Sequence, residues 1–448
     1  MTTSPVCFSL PTLIYQAIFL LVLSNSRGSV ASLPEQHAAM HSTPDVVPQG
    51  DGVQGADLPG HLKPLGSHRP PEDPGIDVLH RVPDPLDFFN RYVKDGRPVI
   101  FKGAAQNMDS YKLWTDEYLS KSYGHLKVEV EEGKKENRSK DLWHMTLSNF
   151  IQKYQKEDVY LVTDVPPEMS DEFCLLRCLL CGGFPTSLVD TILWYSSGGT
   201  KSVLHFDGVD NINCIMDGSK EVFLVDKREQ ANINIDHPEQ SFSGVDVDKV
   251  DLTKYPGLGQ VPWYNVTMER GDCLFIPYRW FHAVRSWGRN LAVNVWFIHR
   301  LWFNETDCSD ELMALPEYVP LSSFKTRASH SEILRSEIAN KIEENDGLIT
   351  AEEMYAIGLL QRSTKQQITQ LFQSLDQNGD KKLSMKEAYS ESFAEACKSA
   401  DISFDKEKDD EEEDEEGDEE EEEDDIGGED ENDEAHRSTG REEEHEEL

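Results

Sequence analysis

The sequence predicts a mainly β domain with flanking helices, followed by a small all-α module and a disordered acidic tail. Three observations carry that expectation. Short alternating apolar runs bounded by Gly and Pro dominate from Ile192 to Ile298, the pattern of strands. A polar, helix-forming stretch from Ser329 to Cys397 is interrupted by two acidic loops. From Asp405 onward the chain is an almost unbroken acidic run that cannot bury enough apolar surface to fold.

Taken in order, Leu10 to Leu23 is almost wholly apolar and Ser29-Val-Ala31 follows it, a small-x-small cleavage pattern. Residues 1–31 are expected to be a secretory signal peptide, with no stable membrane span after its removal. An uncleaved anchor is the alternative, since no Lys or Arg precedes Arg27. Residues 32–78 lack periodicity and are rich in Pro, Gly, His and Asp, so a flexible lead-in is expected. The large domain is placed at 79–320. Helices are predicted over Asp84 to Tyr92, Trp114 to Ser122 and Leu147 to Tyr154, outside the strands.

The chemistry concentrates in the strand region. His205 and Asp207 in Ser202-Val-Leu-His-Phe-Asp-Gly-Val-Asp-Asn211 stand two residues apart, so on a strand an imidazole and a carboxylate share one face. His282 follows a turn at Gly271-Asp272, a short strand Cys273 to Ile276 and a proline corner. Two imidazoles and one carboxylate hold a divalent first-row metal on one side and leave the other positions open. The strand Gly218 to Val225 carries Lys220, and a lysine entering a lumen needs an anion there. The alternating strand Asn290 to Phe297 brings Asn294 inward. A lone His-x-Asp is more often an ordinary strand residue; the other residues at these spacings reverse that weighting.

These residues resemble the JmjC-type, cupin-fold 2-oxoglutarate oxygenases, particularly the small hydroxylase branch that includes the asparaginyl hydroxylase of hypoxia-inducible factor. The resemblance spans about residues 80 to 305. It includes Gly96-Arg-Pro-Val-Ile-Phe-Lys-Gly103, Leu113-Trp-Thr-Asp-Glu-Tyr-Leu119 and Ile192-Leu-Trp-Tyr195. It implies a double-stranded β-helix (cupin/jelly-roll) in which His205, Asp207 and His282 bind Fe(II). It further implies that Lys220 pairs with the distal carboxylate of 2-oxoglutarate, and that Tyr195, Ser202, Asn211 and Asn294 make further cosubstrate contacts. Ser202 stands where relatives often have threonine. The structural alternative is a cupin whose metal site is lost or only binds.

In the all-α module, placed at 329–398, Asp376-Gln-Asn-Gly-Asp-Lys-Lys-Leu-Ser-Met-Lys-Glu387 fits a twelve-residue EF-hand loop. Its oxygen ligands for Ca²⁺ are Asp376, Asn378, Asp380, the carbonyl of Lys382 and Glu387. Lys381 stands where the motif wants glycine, which lowers the expected affinity. A partner loop ends at Glu353 but has Ile342 at its first ligand position, so calcium is expected to bind it poorly. The tail, 399–448, ends in His445-Glu-Glu-Leu448, which resembles a luminal retrieval signal read by a receptor. Residues 405–448 carry 28 acidic and four basic residues, more than half of the net charge of −41. The acidity therefore belongs to the tail, and it argues against nucleic-acid binding.

Sequons at Asn137, Asn265 and Asn304 fit the same compartment. Cys174, Cys178 and Cys181 are read as a buried apolar segment with one or two disulfides, in preference to zinc. The expected function is an Fe(II)- and 2-oxoglutarate-dependent oxygenase of the endoplasmic reticulum lumen that hydroxylates a protein side chain. The rival is a calcium-binding, chaperone-like luminal protein whose cupin domain is a non-catalytic scaffold.

Overall fold

The computed structural model describes residues 58–133, 143–237, 241–309, 318–402 and 404. The leader, the sequon at Asn137, most of the acidic tail and the terminal His-Glu-Glu-Leu lie outside the described residues. Among the described residues, no helix is long and apolar enough to cross a membrane.

Fifteen strands form: β1 Asp77–Leu79, β2 Val99–Phe101, β3 Lys127–Glu132, β4 Trp143–Thr146, β5 Val159–Asp164, β6 Cys174–Leu176, β7 Leu188–Ser196, β8 His205–Phe206, β9 Asp210–Val225, β10 Tyr264–Met268, β11 Cys273–Ile276, β12 Phe281–Phe297, β13 Tyr318–Pro320, β14 Leu348–Ile349 and β15 Leu383–Ser384. Eleven of them make one mixed sheet in the order β1-β2-β11-β9-β12-β7-β5-β3-β4, with β10 on β9 and β8 on β12. The fold is mainly β and consistent with a cupin-type jelly roll.

The two longest strands explain how one sheet encloses a lumen. β9 and β12 pair along their whole length, but the register slips between Trp287 and Leu291. The chain bends there at Gly218 (φ 77°) and Gly288 (φ 70°), left-handed conformations that favour glycine. A Cβ on Gly218 would stand 2.5 Å from the Arg289 carbonyl oxygen. Before the bend, β12 pairs with β8; after it, with β7. The two halves of each long strand thus lie on opposite walls. Ile215, Val222, Leu224, Val266, Met268, Leu274 and Ala292 pack between the walls in one cluster.

A second core forms on the outer side, where Phe88, Tyr92, Leu119 and Phe150 from the helices meet Leu161, Leu193 and Val293 from the strands. Helices cover Asp116–Tyr123 and Leu147–Lys153, each capped by the hydroxyl of a preceding threonine, Thr115 and Thr146. The first predicted helix divides into an α-turn, Pro85–Phe88, and a π-turn, Phe89–Val93.

The lead-in differs from expectation after residue 57. Leu58 and Leu65 pack against the cluster around Val247, Val250 and Leu252, Lys63 bridges to Val250, and β1 adds in parallel to β2. Each apolar residue inserts singly, so no periodicity announces the segment.

Two helix–loop–helix halves follow the sheet. Helix His330–Glu344 leads to β14 and Ala351–Met354; helix Lys365–Leu375 leads to β15 and Met385–Ala388. Ile349 opposite Leu383 joins the two loops, and both side chains are fully buried. Ile342 is buried too, a core residue where a ligand oxygen would stand.

Candidate metal centre

β8 delivers His205 opposite His282 on β12, with paired backbones and ring centroids 4.2 Å apart. Asp207 lies just past the end of β8, which is only two residues long. The carboxylate nevertheless reaches both rings: Oδ1 is 3.9 Å from His205 Nε2 and Oδ2 is 3.6 Å from His282 Nε2. Asp207 is held by its carbonyl, which accepts from Arg279 N at 2.9 Å. Arg279 itself adopts φ 62° in the proline corner before His282.

Both imidazoles are pre-oriented. His205 Nδ1 lies 2.9 Å from the Val203 carbonyl and His282 Nδ1 lies 3.0 Å from that of Trp280. A carbonyl only accepts, so each Nδ1 carries the hydrogen and each Nε2 turns its lone pair toward the space shared with the Asp207 carboxylate. Ligand atoms of the three side chains all fall within 4.8 Å of one another. That donor set fits a divalent first-row cation.

The triad opens onto a cavity of about 170 Å³ between the walls. Lys220 lines it, flanked in register by Met268 on β10 and Ser286 on β12. Burial lowers its ammonium pKa to about 8, and no carboxylate is paired with it among the described residues. Trp194 Nε1, also in this cavity, has no hydrogen-bond partner. A buried cation and an idle donor at one end of a lumen fit an anion such as the distal carboxylate of 2-oxoglutarate.

The remaining expected contacts divide. Asn211 and Asn294 line the cavity, Asn294 accepting from Asn213 Nδ2. Ser202 lines it too, but its hydroxyl already accepts from Val284 N at 2.9 Å. Tyr195 also lines the cavity, with its hydroxyl engaged: it donates to Asp116 and sits 3.1 Å from Arg289 Nε. Asn213, Trp194, Tyr160 and Asp190 also line the cavity and were not anticipated. Asn213 was legible, being two residues after Asn211 on the same face.

In the second helical loop, Asp376 accepts from Gly379 N and Lys381 N, and Asp380 from Lys382 N. Glu387 reaches back to Gln377 N and Ser384 N. Lys381 takes φ 64°, the left-handed turn its side chain disfavours. Disulfides join Cys181 to Cys308 and Cys214 to Cys273, while Cys174 and Cys178 are buried thiols.

The sequence profile of the cupin-like domain family matches residues 85–301. Over those residues, slightly under half of its length, the chain is similar to that family. Over 235 residues the chain is 27% identical to Lysine-specific demethylase 8 of Xenopus tropicalis, covering 50% of this chain and 52% of that protein. It is 25% identical over 238 residues to Jumonji C domain-containing protein 5 of Drosophila melanogaster, covering 48% and 58%. It is 26% identical over 231 residues to tRNA wybutosine-synthesizing protein 5 of Gallus gallus, covering 45% and 70%. The chain thus spans little more than half the length of the first two. The matched domain is the one that holds His205, Asp207, His282 and Lys220.

Proposed function

We propose that this protein is an Fe(II)- and 2-oxoglutarate-dependent oxygenase that hydroxylates a protein side chain. The observation that carries the proposal is the triad His205, Asp207 and His282 opening onto a cavity whose buried cation, Lys220, has no counter-ion among the described residues. The relatives named as JmjC proteins and demethylases support the class of chemistry.

When bound, Fe(II) and 2-oxoglutarate supply oxidative decarboxylation coupled to insertion of one oxygen atom into a C–H bond. The chain's own residues position the reactants. Val203 and Trp280 carbonyls fix the imidazole tautomers, and Lys220 orients the cosubstrate by charge. The apolar layer of Val222, Met268 and Ala292 beneath keeps the closed end dry. Purified protein with iron, ascorbate and 2-oxoglutarate is expected to form succinate, and His205→Ala to abolish it. Persistent turnover in that variant would sink the triad assignment.

The compartment proposed is the endoplasmic reticulum lumen. The two disulfides suit an oxidising environment, and Asn265 is exposed on β10 for glycosylation. The apolar leader and the terminal His-Glu-Glu-Leu agree with secretory entry and receptor retrieval. The helical module is proposed to be an EF-hand pair that takes Ca²⁺ in the loop Asp376 to Glu387. Isothermal titration of the full chain with calcium, against Glu387→Gln, tests that reading.

A further inference from the structure

One turn of chain serves two of the three triad side chains. Pro277, Tyr278, Arg279 and Trp280 make the corner between β11 and β12. Arg279 N donates to the Asp207 carbonyl at 2.9 Å, and the Trp280 carbonyl accepts from His282 Nδ1 at 3.0 Å. Inside the corner, Trp280 N donates to the Pro277 carbonyl at 3.1 Å. Arg279 adopts φ 62°, a left-handed conformation that a side chain disfavours, so the corner needs support from its surroundings.

Asp210 supplies that support. It opens β9, is fully buried, and pairs in register with Phe297. Its neighbour Asn211 lines the cavity, so strand alternation turns the Asp210 carboxylate to the other face of the sheet. There Oδ1 accepts from Tyr278 N at 2.8 Å, and Oδ2 lies 2.9 Å from His299 Nδ1. A carboxylate accepts, so His299 Nδ1 carries the hydrogen. The His299 ring, itself buried, stacks on the Tyr278 ring with centroids 5.0 Å apart and planes 11° apart. The corner is thus gripped by its backbone through Asp210 and by its ring through His299. Phe297, the pair partner of Asp210, packs against Phe184 and Phe275. A carboxylate in such surroundings is costly, and an apolar residue would serve stability as well or better.

We propose that Asp210, oriented by His299, is a positioning residue of the metal centre: it holds the corner from Pro277 to Trp280 so that Asp207 and His282 keep the spacing a cation requires. The proposal rests on the metal-binding reading of the triad. Neither Asp210 nor His299 lines the cavity, so both act through the corner.

The test uses the full chain titrated with Co(II), whose visible absorption reports the number and geometry of its ligands. Excess calcium is present to occupy the helical loops, and His205→Ala gives the background. His299→Leu removes the donor, and His299→Gln moves an amide donor outward by one bond. His299→Asn places an amide nitrogen as many bonds from the backbone as Nδ1. The first two variants should bind Co(II) about tenfold more weakly, with an altered visible spectrum, and the third should restore both. Melting midpoints of the metal-free proteins are measured alongside. A purely structural role predicts lowered midpoints in the first two variants with Co(II) affinity and spectrum unchanged. That result, or His299→Asn behaving no better than His299→Gln, overturns the inference. Should His299→Leu fail to fold, the comparison of His299→Gln with His299→Asn decides. A Co(II) spectrum that survives His205→Ala would overturn the triad reading itself, and this inference with it.

Discussion

Lys220 shows how much one residue's setting can do. Its folded pKa of about 8 lies below the ordinary 10.5, and burial is the cause. The fold therefore binds fewer protons than the unfolded chain between those values, so this residue costs stability below pH 8. The cost is relieved as pH rises toward 10.5. A bound dianion reverses the preference. Affinity for 2-oxoglutarate should be level below pH 8 and fall above it, and Lys220→Met should weaken it by about 2 kcal/mol, measured by titration calorimetry. Lys381 offers a gain instead: Lys381→Gly relieves a left-handed turn worth about 1 kcal/mol and should tighten calcium binding several-fold. Lys220 and Lys381 were both visible in the sequence because their motifs fix their positions. Asp190 was not, since a single carboxylate in Leu188-Val-Asp-Thr-Ile-Leu-Trp-Tyr195 acquires meaning only from its row partners on β9 and β12.

Among elements, β9 and β12 decide the site. Each contributes to both walls, so one hydrogen-bonded pair of strands sets the distance from Lys220 to Asn213 and from His282 to Trp296. Cys214 on β9 is bonded to Cys273 on β11, directly opposite it in register, and closes a separation of 59 residues. Replacing both cysteines by alanine should lower stability by about 2–4 kcal/mol, read as a reduced denaturation midpoint in urea. The strands themselves were legible from alternation. Their length was not: the segments read as Gly218 to Val225 and Asn290 to Phe297 are the far halves of β9 and β12, each of which continues past a register shift at the bend.

At the scale of the molecule, the helical module is fastened to the cupin-like domain. Tyr389, two residues after Glu387, lies with its ring centroid 5.0 Å from the Arg300 guanidinium, which itself donates to the Gly183 carbonyl. Glu391 accepts from the Thr306 hydroxyl at 2.8 Å. Tyr389→Ala should remove that anchor and destabilise the module by about 3 kcal/mol, visible as a separate early transition in calorimetry. In the intact chain, calcium should raise the melting temperature of both parts together.

The sequence by itself determined the class of fold, the grouping of His205, Asp207 and His282, the buried lysine and the helical loop pair, because each depends on residue type at a short or fixed spacing. Only the tertiary structure decided that the Tyr195 hydroxyl bonds to Asp116 and that Cys214 meets Cys273. Those facts depend on which strands become neighbours and in what register, and pairing across tens of residues leaves no local mark in the chain.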